Sequence, residues 1–159
     1  MALGNPQGPV YLTLPREVLA QKMDSVTIHP FRKNTAEALR PSDEAIRRTA
    51  DVLRGAVNPL IVTGRLGSDP TAVGAMVSFA EALVAPVVTP ASPFVSFPNT
   101  HDFHLGVSSA PYVKDADVIV VVESDVPWYP VQGKPPESCK VIQIARDPNY
   151  GGIPIRHFP

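Results

Sequence analysis

The sequence holds a single cysteine, Cys139, so no disulfide can form within the chain, and this usage fits a reducing compartment. Concentrated positive charge is also missing. Lys and Arg total 14 against 15 Asp and Glu, the net charge is -1, and no run of four basic residues occurs. A nucleic-acid binder needs a basic stripe to neutralise phosphates, so that class has no support. Long apolar runs are absent too: Val118–Val122 is far shorter than the ~20 residues that cross a bilayer. Met1–Gln7 lacks the charged start and apolar stretch of a signal peptide, so the expected location is cytoplasmic. No Gly-x-Ser-x-Gly elbow supports a hydrolase, and no Gly-x-Gly-x-x-Gly marks a dinucleotide site.

What is present is a globular composition, 44% hydrophobic and 18% charged, in 159 residues. That length suits one domain with a sizeable core. The chain carries 19 prolines, more than twice the usual share, set between apolar runs (Pro86, Pro90, Pro93, Pro98) where they punctuate loops. Pro9–Leu14 is β-prone and bounded by Gly8 and Pro15, which predicts a short strand, with a helical turn over Arg16–Gln21. From Lys22 to Pro41 no period holds, and this stretch reads as a linker.

Organisation begins at Ser42, a candidate N-cap ahead of Asp43 and Glu44. Ile46, Thr49, Ala50, Leu53 and Val57 then recur at helical spacing. Pro59–Thr63 is a short apolar run ending in Gly64, the pattern of a strand buried on both faces. Ser68 or Asp69 can cap a second helix with Pro70 in its first turn and Val73, Met76, Val77, Ala80 and Leu83 on its apolar side. Further strands are predicted at Pro86–Thr89, Val118–Val122, Lys140–Ala145 and Ile153–His157, with a modest helix around Ala110–Lys114. Alternating helices and strands imply right-handed crossovers. The expected fold class is therefore α/β: a doubly wound, Rossmann-like parallel sheet of about five to six strands with helices on both faces.

Several stretches resemble the acetolactate-synthase-like family of thiamine-diphosphate-dependent enzymes. Gly8–Val18 is similar to the end of that family's pyrimidine-binding domain, and Asn58–Gly64 to the first strand of its central domain. Pro86–Thr89, then Pro98–His101 with Leu105-Gly106, then Ala116-Asp117, then Val141–Ile144 with Asp147-Pro148, resemble the following elements in the same order. The resemblance implies three segments: 1–20 as the remnant of a preceding domain, 21–41 as a linker, and 42–159 as a central domain cut short at its C-terminus. It implies partners in the pyrimidine- and diphosphate-binding domains of the same polypeptide, and a homo-oligomeric parent. Thiamine diphosphate and magnesium would sit between those two domains, held by a glutamate and a Gly-Asp-Gly motif. No Gly-Asp-Gly occurs here, so the expectation is a domain with no catalytic residue and no metal site of its own.

Some members of the family bind FAD, and others ADP or a coenzyme A moiety, in the central domain. By that resemblance a nucleotide would lie against Gly64, Arg65, Gly67, Thr89 and Ser124. The loop Gly64–Gly67, between a strand and a helix, is where α/β sheets seat phosphates; a tight turn explains the same two glycines. Three departures speak against FAD: Pro90-Ala-Ser-Pro replaces a glycine-rich loop, Glu123 replaces a glycine, and Ala145 replaces an acidic residue. Glu123 is expected to repel and obstruct a diphosphate. His101 and His104 have the spacing of paired metal ligands but no third ligand nearby, so a structural role is expected. Asp125–Pro130, with Trp128 and Tyr129, suits either a contact surface or a cap on the core. The rival reading is a free-standing Rossmann-like nucleotide- or flavin-binding domain, which rests on fold analogy alone.

Overall fold

The computed structural model describes residues 9–27 and 40–146. The chain divides between Arg40 and Pro41 into two compact units. In the first, a single helical turn, α1 (Arg16–Leu19), follows Pro15 and is closed by the Leu19 and Ala20 amides donating to the Pro15 and Arg16 carbonyls. The strand expected over Pro9–Leu14 is not formed, because no β-ladder includes these residues. The alternation of Val10, Leu12 and Leu14 supplies a face, but a strand is held by hydrogen bonds to a neighbouring strand, and none pairs with it among the described residues.

The second unit opens with α2 (Asp43–Arg54). The Ser42 hydroxyl accepts the Ala45 amide at 3.2 Å, Asp43 and Glu44 oppose the positive helix end, and Arg54 lies in the last turn. The helix packs through its second half: Leu53 is buried and Val52 and Ala56 rest against the same cluster, whereas Ile46 stands half exposed. Strand β1 (Pro59–Thr63) follows, then a 3-10 turn over Leu66–Ser68 and α3 (Pro70–Leu83). Asp69 caps α3 and Pro70 fills a position whose amide would have no partner. The remaining elements are β2 (Val87–Val88), α4 (Ala110–Val113), β3 (Val118–Val122) and β4 (Lys140–Ile144).

Among the described residues four strands form one sheet, all parallel, in the order β2-β1-β3-β4. Register partners run Ile61 to Val87, Thr63 to Val122, and Val122 to Ile144. The expected strand at Ile153–His157 lies outside the described residues. A further pairing comes from the long loop after β2: Val87 bridges His104, and the Thr89 amide donates to the Gly106 carbonyl at 3.0 Å. This loop covers what would otherwise be the free edge of β2.

Alternate residues of the central strands feed two cores. Ile61, Val118, Val120 and Val122 join Leu53, Met76, Ala80 and Phe97 on the side of α2 and α3. Leu60, Val62, Ile119 and Val121 join Val113, Ala116 and Trp128 on the other. A strand that must be apolar on both faces reads as an unbroken hydrophobic run, which is why β1 and β3 do. Burying each such side chain contributes about 1.5–3 kcal/mol before entropy is counted.

Asp117 ties the opposite end of the sheet together. Its carboxylate accepts the amides of Val57 at 2.6 Å and Asn58 at 2.9 Å, just before β1 begins. These bonds, that from Val57 foremost, hold its pKa below the ordinary 3.8. Asp117 therefore sets the register of β1 against β3 as well as ending the turn after α4.

Candidate functional site

The chain leaves β1 toward β2 on one side, while β3 lies on the other side of β1. The connections thus diverge at the C-terminal ends of β1 and β3, the place where open α/β sheets form their ligand crevice. A cavity of about 180 Å³ opens there. Gly64 and Arg65 line it from β1, Pro90, Ala91 and Pro93 from the loop after β2, and Ser124, Asp125, Val126 and Tyr129 from the segment after β3.

Of the five residues singled out from sequence, Gly64, Arg65 and Ser124 meet in this crevice; Gly67 and Thr89 do not line it. Thr89 is buried, and its hydroxyl lies 3.0 Å from His104 Nε2, so it fastens the edge loop. Gly67 has its own steric reason. A Cβ there would overlap the Val95 carbonyl, because the segment after β2 passes directly over this turn. Gly64 has more room, with an added Cβ no closer than 3.5 Å to any neighbour.

The charges around the crevice are matched internally. Arg65 Nη1 lies 3.1 Å from Asp125 Oδ2 across the mouth, with both side chains about half exposed. Glu123 sits in the left-handed region at φ 46° but does not face the crevice. Its Oε1 accepts the Arg146 amide at 2.6 Å, and its Oε2 lies 3.3 Å from Arg146 Nε. The expected repulsion by Glu123 is thus corrected: its charge is met by Arg146 and its side chain turns toward β4. Arg146 Nη2 also donates to the Ser68 hydroxyl at 3.1 Å.

At the start of α3 the negative partner for the helix is already supplied. Asp69 Oδ1 accepts both the Thr71 hydroxyl, at 2.6 Å, and the Thr71 amide, at 3.0 Å. These bonds, the hydroxyl first, keep its carboxyl below the usual range, with Arg146 assisting. An ionised aspartate at a helix N-terminus takes the position an incoming phosphate would use.

His101 and His104 are turned to different partners. His101 Nδ1 accepts the Phe103 amide at 3.1 Å and its ring meets Phe97 edge-on, while His104 serves Thr89. Among the described residues no group of His, Cys, Asp or Glu is arranged to hold a metal ion. Trp128 and Tyr129 divide the two roles considered for their segment: Trp128 is buried in the core and Tyr129 is half exposed on the crevice wall. The residues missed from sequence, Ser92 and Ser96, carried no signal, because their partners lie about thirty positions away: both hydroxyls donate to the Gly64 carbonyl. No helix among the described residues is long and apolar enough to cross a membrane.

The residues that line the crevice do not fit thiamine diphosphate. The crevice is smaller than the ~300–1,000 Å³ typical of cofactor pockets, and its one carboxylate, Asp125, is already paired with Arg65.

The fold has clear relatives among solved structures. Benzoylformate decarboxylase from Polynucleobacter necessarius superposes with a TM-score of 0.77 at 25% identity, over 98% of this chain and 30% of that one. A thiamin diphosphate-dependent enzyme isolated from Mycobacterium smegmatis matches with a TM-score of 0.74 at 29% identity, over 97% of this chain and 31% of that one. The thiamine diphosphate-dependent 4-hydroxybenzoylformate decarboxylase of Rhodococcus jostii RHA1 gives 0.66 at 26%, over 95% and 30%. The chain thus spans about 30% of the length of these proteins. The family described as "Thiamine pyrophosphate enzyme, central domain" matches residues 46–153. With the parallel sheet, this match shows that the chain belongs to the family of thiamine pyrophosphate enzyme central domains.

Proposed function

We propose that this chain is the non-catalytic central domain of a thiamine-diphosphate-dependent enzyme acting on 2-oxo acids, and that the chemistry is done by other domains of a longer polypeptide. The observation that carries the reading is the family match over residues 46–153, joined to a chain covering only 30–31% of the three relatives' lengths. The free-standing nucleotide-binding alternative is not favoured by these likenesses. Two of the relatives are named as decarboxylases of benzoylformate or its 4-hydroxy derivative, which are aryl 2-oxo acids. They support a decarboxylase reading of the parent at least as well as an acetolactate-synthase-like one. Residues 1–20 and 21–41 are then the end of a preceding domain and a linker, in keeping with the division between Arg40 and Pro41. Thiamine diphosphate and magnesium would be held by the flanking domains, in a parent that is a soluble, cytoplasmic homo-oligomer.

The test compares this chain with the longer protein that contains it. Each is supplied with thiamine diphosphate, magnesium and either benzoylformate or pyruvate, and carbon dioxide release is measured. The longer protein is expected to turn over one of these acids and the isolated chain neither. Cofactor-dependent turnover by the chain alone, or a longer protein inert toward both acids and without bound thiamine diphosphate, overturns the proposal.

A further inference from the structure

A turn from a parallel strand into a helix binds phosphate when its backbone amides point outward unpaired. In the turn after β1, six of those amides are engaged inside the protein. Arg65 donates to the Glu123 carbonyl, Ser68 to Arg65, Asp69 to Leu66, and Ala72 to Asp69. Thr71 donates to the Asp69 side chain, and Gly67 to the hydroxyl of Ser96 at 3.2 Å.

The last of these bonds is the informative one. Ser96 is 1% exposed, and its hydroxyl does two things at once. It accepts the Gly67 amide and donates to the Gly64 carbonyl at 2.8 Å, bridging the two glycines of the turn. Ser92 adds a second hydroxyl on the same Gly64 carbonyl. Between these serines the backbone passes so close to Gly67 that the Val95 carbonyl fills the space where a side chain would stand.

We infer that the segment Ser92–Ser96 is a built-in occupant of the turn after β1, with the Ser96 hydroxyl taking the hydrogen-bonding position of a ligand oxygen, so that the crevice admits no nucleotide diphosphate. Arg65 on the crevice wall, engaged by Asp125, and Arg146, engaged by Glu123, agree with this. What is left open beyond the segment, about 180 Å³, is below the volume that houses a dinucleotide. The inference concerns this crevice alone and does not rest on the reaction proposed for the parent.

The test has two arms. Native protein is titrated with FAD, with ADP and with inorganic pyrophosphate, followed by calorimetry and by melting temperature. In parallel, Ser96→Ala and Ser92→Ala are compared with native protein by melting temperature and by amide hydrogen exchange at Gly67. None of the three probes is expected to bind or to raise the melting temperature at millimolar concentration. Ser96→Ala is expected to melt several degrees lower, with the Gly67 amide exchanging about tenfold faster, as the loss of one hydrogen bond implies. Ser92→Ala is expected to move less, because Ser96 still serves the Gly64 carbonyl. Saturable binding of any probe to the native chain overturns the inference, as does unchanged Gly67 exchange in Ser96→Ala. If Ser96→Ala does not fold, native exchange decides: a protected Gly67 amide supports the inference, and one exchanging like an open loop refutes it.

Discussion

Glu123 and Arg146 join the C-terminal ends of β3 and β4, one Glu123 oxygen accepting the Arg146 amide at 2.6 Å and the other lying 3.3 Å from its Nε. Glu123 achieves this from a left-handed backbone, φ 46°, which disfavours any residue with a Cβ. Two opposed effects therefore meet at one position. Glu123→Ala keeps the backbone cost and loses the bonds, and is expected to destabilise by about 1–2 kcal/mol. Glu123→Gly loses the same bonds but relieves the backbone, so it should cost less, by about 0.5–1 kcal/mol. Urea unfolding of both variants checks the order. Equal losses would mean that the left-handed geometry carries no cost here.

Acid should weaken the tie that Asp117 makes to β1. Its pKa in the folded protein lies below the ordinary 3.8, chiefly through the Val57 amide, with burial opposing and the Asn58 amide assisting. A group depressed on folding stabilises fully above its unfolded pKa, and that contribution disappears as pH falls through the folded value. Asp117→Ala is thus expected to be less stable than native protein at neutral pH, by about 1 kcal/mol since the site is solvated. The gap should close as pH drops below 3.8. Thermal unfolding across that range checks the sign; a gap that widens in acid would contradict it.

How much of the fold could be read in advance depends on whether local chemistry or distant partners decide each element. β1 and β3 were legible because strands buried on both faces must be apolar throughout, and Ile61 and Val120 are fully buried in mid-sheet. The cap Ser42 was legible, and that of α3 to within one residue (Ser68 or Asp69), because each cap serves an amide within three positions. Ile46 was assigned to the buried face of α2 by spacing, yet it is half exposed, since only the second half of that helix meets the sheet. Periodicity gives a face; it does not say how far along the helix the neighbour extends. Ile61→Ala should therefore cost about 2–5 kcal/mol, whereas Ile46→Ala should stay within about 0.5 kcal/mol. Denaturant midpoints of the two variants decide the matter. In the crevice, the places of Gly64 and Arg65 followed from the turn between strand and helix, and that of Ser124 only from the family resemblance. Ser92 and Ser96 were not, because a serine in a proline-rich loop does not announce a partner 28 or 32 residues away.

Three further substitutions separate the reasons a small residue occupies a position. At Gly67 an added Cβ meets the Val95 backbone, which cannot swing aside as a side chain would. Gly67→Ala is expected to destabilise by about 1–3 kcal/mol, the cost of forcing packed backbone apart. At Gly74, inside α3, nothing lies within 4 Å of an added Cβ, so no packing reason requires glycine. There Gly74→Ala should stabilise by about 0.5–1 kcal/mol, because alanine loses less backbone freedom on folding. Val84 is the converse case: it ends α3 at φ 51°, a left-handed conformation that a β-branched residue adopts only under strain, and its side chain is largely exposed. Glycine is the residue that helix ends of this kind favour. Val84→Gly should stabilise by up to about 1 kcal/mol, the relief of a strained backbone outweighing the greater freedom of the unfolded chain. Melting temperatures of the three variants test the set, with one fall and two rises expected. A fall for Val84→Gly would show that the exposed valine contributes more through packing than it costs through its backbone.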